Sequence, residues 1–173
     1  MAVELHVPRL SEMAFRQTWL SDPATMAHNR GRDLGGAEGY DPLTGCIDFP
    51  RENWRWWRQV WLLNEPDFYA AYIRDTESGL FVGEVCWYRD GEDFNTGILL
   101  CAAHRGRGLC APALKALIRH AFRREDIPAL RCLIPETSLP ALRGFLRAGF
   151  HRFGSLEGQA LMLFTREDFE TGT

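Results

Sequence analysis

Apolar and polar positions alternate over Val3 to Val7 (VELHV), which predicts a first strand with one buried face, weakened at its end by Pro8. From Ser11 the period lengthens. Met13, Phe15, Trp19 and Leu20 supply the apolar positions of a helix with Ser11 as its expected N-cap, interrupted at Asp22-Pro23 and followed by a short helical turn over Ala24 to His28. Arg51 to Leu63 (RENWRWWRQVWLL) reads as another helix, with Trp54, Trp57 and Trp61 on one face and Arg51, Arg55 and Arg58 on another. The Trp stripe suits core packing, the wall of a substrate pocket or a subunit contact.

Asp67 to Arg74 and Leu80 to Tyr88 are rich in aromatic and β-branched residues and flank the turn Asp75-Thr76-Glu77-Ser78-Gly79, so they predict an antiparallel hairpin. A second turn, Arg89 to Asp93, leads to a buried strand at Ile98 to Cys101, completing a three-stranded meander. A helix is expected from about Gly108 to Arg123, with Pro112 tolerated in or near its first turn. A strand at Leu130 to Ile134, a helix from the candidate N-cap Ser138 to Gly149, and strands near Phe150 to Phe153 and Ala160 to Phe164 close the chain. The expected fold class is α/β (α+β): a mixed, mostly antiparallel sheet of six to seven strands with flanking helices.

Between these elements, residues 29–50 contain five glycines, two prolines and hardly any periodicity. Connections in compact domains usually run about 4 to 6 residues, so this one is expected to be a lid or insertion loop, or disordered. The 173 residues, 46% hydrophobic, otherwise suit one domain over 1–173.

A formal net charge of -3 gives no general attraction to nucleic acid or to an anionic membrane. The five cysteines, Cys46, Cys86, Cys101, Cys110 and Cys132, have no CxxC or CxH spacing, so neither a metal site nor a disulfide framework is expected. There is no signal-like N-terminus and no apolar run of membrane-spanning length, and a reducing cytoplasm is the expected location.

Chemistry concentrates in GILLCAAHRGRGLC, residues 97–110: a strand, a glycine-bearing turn and a helix N-terminus. Unpaired backbone NH groups and the positive end of the helix dipole make such a junction an anion site, and glycines let a phosphate approach the backbone. The turn is neither a GxGxxG fingerprint nor a P-loop. His104 beside it is either a phosphate contact or an exposed residue. Cys110 is either a thiol activated by the helix terminus or a small apolar filler. Glu84 is a carboxylate in the middle of the apolar strand FVGEVCW, a candidate general base or a solvent-facing strand residue.

Arg105-Gly106-Arg107-Gly108-Leu109-Cys110 resembles the cofactor signature of the GNAT superfamily of acyl-CoA N-acyltransferases: Gln or Arg, two residues, Gly, one residue, then Gly or Ala. Cys110 stands in the last, small-residue place. Ser138, Ala141, Gly144, Phe145, Gly149 and Phe150 keep the spacing of a second family element, Asn-x-x-Ala-x-x-Leu-Tyr-x-x-x-Gly-Phe. The element order is also similar, from about Val3 to Phe169.

The resemblance implies a GNAT fold and acetyl-CoA as co-substrate. Its pyrophosphate would lie on the backbone of Arg105, Gly106, Arg107, Gly108, Leu109 and Cys110, and its pantetheine beside Ile98, Leu100 and Cys101, with Ser138 in place of an Asn that touches the cofactor chain. Direct acetyl transfer to a primary amine follows, the acceptor being a small molecule or a peptide or protein N-terminus, with Glu84 as candidate base and aromatic residues (Trp54, Trp57, Trp61, Tyr69, Tyr72 and Trp87) near the acceptor. Phe145 replaces the Tyr that often protonates the leaving thiolate, which leaves a non-catalytic CoA-binding sensor or partner module as the alternative. A homodimer through the Trp helix or the last strands is the subunit contact that the resemblance suggests.

Overall fold

The computed structural model describes residues 2–172. Among these, seven strands form one sheet in the order β1-β2-β3-β4-β5-β7-β6. They are β1 (Val3–His6), β2 (Phe68–Asp75), β3 (Phe81–Asp90), β4 (Asp93–Leu100), β5 (Ala129–Pro135), β6 (His151–Leu156) and β7 (Gln159–Thr165). The helices are α1 (Met13–Leu20), α2 (Pro23–Met26), α3 (Trp54–Trp61), α4 (Cys110–Ala121), α5 (Leu139–Ala148) and α6 (Arg166–Thr171).

All neighbouring strands run antiparallel except β4 and β5, whose parallel pairing consists of one register pair, Asn95 with Arg131. Beyond that pair β4 continues to Leu100 and β5 to Pro135 without pairing to each other, so the sheet is open along one line. The β4 chain leaves this opening through the turn that leads into α4.

Period-2 alternation divides β2, β3 and β4 between two cores. Ala71, Ile73, Val85, Trp87 and Phe94 face the layer containing Leu114, Leu117 and Ile118 of α4 and Phe145 of α5. Ala70, Tyr72, Cys86 and Leu99 face the opposite layer, made by Met13, Trp19 and Leu20 of α1, Met26 of α2, Phe49 and the α3 residues Trp54 and Trp57. At Gly83 the β3 backbone comes so close to β4 that a Cβ would collide with the Leu99 carbonyl oxygen.

The expected elements are present, with several differences at their boundaries. Ser11 does not cap α1; it lies inside a 3-10 turn, Leu10–Glu12, and the Glu12 carboxylate instead accepts from the Arg9 NH at 2.7 Å. Helix α2 is capped by Asp22, which accepts from the NH groups of Ala24 and Thr25, with Pro23 in the first helical position where no NH is needed. The strand placed at Ile98 to Cys101 starts earlier, at Asp93, and ends at Leu100. Helix α6 was not anticipated, although Thr165 and Asp168 form a reciprocal capping box at its start.

The 29–50 segment closes on its own hydrogen bonds and packs against the sheet's helical layer. The Tyr40 hydroxyl donates to the carbonyls of Asn29 and Arg32, Asp48 NH donates to Gly39 at 2.9 Å, and Ile47 NH donates to Leu20 at 3.0 Å. Cys46, Ile47 and Phe49 add apolar contacts to the α1/α3 core. Such closure of a loop on its own polar groups answers the requirement that buried backbone be paired.

Candidate active site

The glycine turn sits at the mouth of the opening between β4 and β5. Gly106 and Gly108 adopt φ +75° and +73°, a region that side-chain-bearing residues rarely occupy, so the chain reverses here because both are glycine. The NH of Arg105 donates to Ala102 at 3.2 Å. Among the described residues, the NH groups of Gly106, Arg107, Gly108 and Leu109 have no acceptor within the protein, and Cys110 and Ala111 open α4, where no intrahelical acceptor exists. The run of unpaired NH groups therefore starts at Gly106, the Arg105 NH being used within the turn.

Neither arginine of the turn aims its guanidinium at those NH groups. Arg105 donates through Nε to the Leu100 carbonyl at 3.0 Å, through Nη1 to Ala24 at 3.1 Å and through Nη2 to Thr25 at 2.6 Å. Ala102 NH adds a bond to the Thr25 hydroxyl at 2.9 Å, and that hydroxyl donates to Asp22 at 2.5 Å. The turn is thus pinned to α2, and Asp22 is held below the usual carboxylate range first by the Thr25 hydroxyl. Arg107 reaches the other way, to the buried carboxylate of Asp75 at 3.3 Å, and its Nη1 lies 3.1 Å from His104 Nδ1. Asp75 also accepts from Ser78 Oγ at 2.8 Å and Glu77 NH at 3.1 Å, and these bonds, the Ser78 one foremost, hold its carboxyl low. Thr25, Asp22 and Asp75 were not singled out from sequence; the visible signal was the Asp-Pro cap at 22–23 and the Asp-led turn at 75–79.

Cys110 is a packing residue. Burial pushes its thiol up to about 11, and a Cβ on Gly144 of α5 would sit 2.5 Å from its Sγ. The sulfur fills the volume that a side chain at 144 would take. Leu109 is fully buried beneath the turn, and Ile98 and Leu100 are half-buried on the α4 side of β4. Cys101 is buried in the opposite core, its NH donated to Val82 at 2.9 Å, and burial pushes its thiol up to about 12. Ser138 precedes α5, half-buried, with no side-chain capping bond. Phe145 is 2% exposed and packs edge-on to Phe150 at 4.9 Å, so it belongs to the core of the α4/α5 layer.

Glu84 projects from β3 on the α1/α3 side, between Tyr72 of β2 and Leu99 of β4. It is not solvent-facing: its side chain is 15% exposed, and Oε2 accepts from Arg16 Nε of α1 at 3.1 Å. Burial, and next the Glu84 charge, raise the neighbouring Tyr72 phenol well above its ordinary value.

The aromatic group expected around the acceptor is divided by the sheet. Trp54, Trp57 and Tyr72 lie on the Glu84 side, with Trp61 packed against them. Tyr69 and Trp87 lie on the opposite, α4 side, because in β2 and β3 they fall on the other parity. A separate groove of about 730 Å³, lined by Leu10, Ser11, Arg51, Glu52, Trp54 and Arg55, borders α3 and includes neither Glu84 nor the turn.

A mixed sheet opened between its fourth and fifth strands, with a pinned glycine turn and its unpaired NH groups at the opening, defines an α+β fold. Residues 3–151 match the family model described as an acetyltransferase (GNAT) domain, and the chain belongs to the GNAT acetyltransferase family. No curated protein matches the chain by sequence.

Similar solved structures include AAC(6')-Ib in complex with ribostamycin and coenzyme A, 19% identical over 98% of this chain and 97% of that one, with TM-score 0.69. Spermidine N-acetyltransferase from Vibrio cholerae in complex with CoA and spermine is 10% identical over 97% and 98%, TM-score 0.72. RimL, the ribosomal L7/L12 alpha-N-protein acetyltransferase in complex with coenzyme A, is 15% identical over 95% and 94%, TM-score 0.72. At these identities the likeness, carried by the TM-scores and coverage, is one of fold. Among the described residues no helix is long and apolar enough to cross a membrane.

Proposed function

We propose that the protein binds acetyl-CoA at the β4–α4 turn and transfers the acetyl group to a primary amine, of a small molecule or of a peptide or protein N-terminus, by direct attack. The observation that carries this reading is the row of unpaired NH groups from Gly106 to Leu109, continued by the first turn of α4, at the open edge of β4. Those donors fit a pyrophosphate. Coenzyme A accompanies three similar folds, and the acceptors named with them span an aminoglycoside, a polyamine and a protein N-terminus.

Bound there, the co-substrate would supply an acetyl group activated as a thioester. Arg105 and Arg107 act indirectly: one fixes the turn to α2 and the other fixes it to the β2–β3 turn, so the cradle is formed before the ligand arrives. Arg16 occupies Oε2 of Glu84 and leaves Oε1 as the acceptor for a proton from the attacking amine. Phe145, buried and without a hydroxyl, takes no part in protonating the departing thiolate, whose proton comes from another group or from water.

Phe145 and the Glu84–Arg16 pair together favour a second reading, a CoA-binding module without turnover. Turnover of a panel of polyamines, amino acids, aminoglycosides and peptides separates the two. The transferase reading expects one class to be acetylated and Glu84→Gln to abolish turnover with CoA affinity unchanged. CoA binding with no turnover on any amine would overturn it.

A further inference from the structure

Arg16 is held in a manner unusual for a structural ion pair. Its guanidinium carbon lies 4.1 Å from the ring centroid of Trp57 and 4.6 Å from that of Phe49. The two rings are themselves nearly perpendicular, at 80°, with centroids 5.9 Å apart, so they form a corner. Glu84 closes the third side through the 3.1 Å bond to Nε, and the Arg16 and Glu84 side chains are 14% and 15% exposed. Among the described residues the two Nη groups make no hydrogen bond to the protein. The cation is therefore held by one carboxylate and two π faces, the chemistry of a cage for a guanidinium or alkylammonium ligand.

We propose that Phe49, Trp57 and Glu84 form a cation-binding site which the chain fills with its own Arg16, and that this internal cation selects against acceptors carrying a second positive group. The selection rests on the reading that places Glu84 beside the acceptor amine; the cage does not.

In the wild-type protein the Glu84 charge is already matched. The second positive group of a dicationic acceptor finds that charge already matched and meets a guanidinium of like sign. An acceptor with one amine and neutral or anionic surroundings carries no such penalty. The three cage walls come from the end of the 29–50 loop, α3 and β3, and the arginine from α1, so the arginine also ties the loop to the sheet at this point.

The test is Arg16→Ala, which empties the corner but leaves its walls. Loss of the pair lowers the melting temperature by roughly 10 °C. Millimolar ethylguanidinium chloride, measured against sodium chloride, should recover part of that loss, do nothing for the wild type, and do nothing for the double variant R16A/E84Q. With acetyl-CoA, the kcat/KM ratio of agmatine to butylamine should rise about tenfold in R16A.

Should R16A not fold, Arg16→Gln serves in its place, since it keeps a neutral donor for Glu84 and still vacates the guanidinium position. Equal responses to ethylguanidinium in wild type and variant, or a response retained in R16A/E84Q, would overturn the cage. An unchanged agmatine preference would overturn the selection. If Glu84→Gln retains turnover while R16A still responds to ethylguanidinium, the cage stands, and the role of Glu84 as base falls together with the selection that rests on it.

Discussion

The contact between Cys110 and Gly144 makes a prediction whose sign depends on the partner. A Cβ at 144 would lie 2.5 Å from Cys110 Sγ and 3.1 Å from Cys110 Cβ. Gly144→Ala alone therefore overpacks the α4–α5 interface, which costs about 1–3 kcal/mol, while replacing a mid-helix glycine returns about 1 kcal/mol. The net loss is about 1 kcal/mol, or about 2–4 °C in melting temperature for a chain of this size. In a Cys110→Ala background the sulfur is gone and only the 3.1 Å approach is left, which a shift of a few tenths of an ångström relieves. There Gly144→Ala becomes neutral or slightly stabilising, giving a coupling of about 1–2 kcal/mol. Urea or thermal melts of the four proteins measure it. An equal loss in both backgrounds would refute the packing account. Because Cys110 begins α4, Gly144→Ala should also weaken CoA binding, and Cys110→Ala should restore it.

Three further outcomes follow from the geometry. Arg105→Ala removes three bonds to carbonyls of β4 and α2 from an exposed side chain; stability should fall by about 1 kcal/mol and CoA affinity by more, read by melting and calorimetry, and an unchanged affinity would contradict the pinning role. Burial raises the thiols of Cys86, Cys101 and Cys132 to about 12 and that of Cys110 to about 11, so iodoacetamide at pH 8 should label them slowly in the folded protein and rapidly after unfolding; fast labelling of Cys110 would restore the activated-thiol reading. Asp75 has a folded pKa below its ordinary 3.8, so its stabilisation is complete above that value and disappears as pH falls through the folded pKa; the stability gap between wild type and Asp75→Asn should be constant at neutral pH and close only below about pH 4, and a gap independent of pH would contradict the charge role.

The parts of the fold that were legible in sequence are those set by local periodicity. The alternation in VELHV, the aromatic and β-branched run LFVGEVCWY and the 3.6-residue spacing of α4 and α5 marked strands and helices within a residue or two of where they lie. The RGRG turn was legible for the same reason: positive φ at two glycines before a helix is a local requirement. What was hidden depends on partners distant in sequence. A guanidinium at the end of a long side chain goes where acceptors are, and those of Arg105 are at Ala24 and Thr25, about eighty residues away.

The side of the sheet that receives Trp87 was hidden too, since parity along β3 shows which residues share a face and not which helix covers it. The internal bonds of the 29–50 loop were hidden as well. Its glycines suggested freedom, but Tyr40 and Asp41 supply the internal bonds that order it. Glu84 was found as an ionisable residue in an apolar strand, while its partner, sixty-eight residues earlier on an unremarked helix position, was not.

The central claim is that the backbone of the β4–α4 turn holds the pyrophosphate of the acetyl donor. It is tested most directly by calorimetric titration of CoA and of pantetheine, which lacks the pyrophosphate, into wild type and Gly108→Val. At φ +73° a β-branched residue distorts the turn, and the melting temperature of the variant reports that the rest of the fold persists. Wild type should bind CoA far more tightly than pantetheine, and the variant should lose about tenfold or more in CoA affinity with pantetheine affinity unchanged. Absence of CoA binding to wild type, or equal CoA affinity in a folded Gly108→Val, would contradict it.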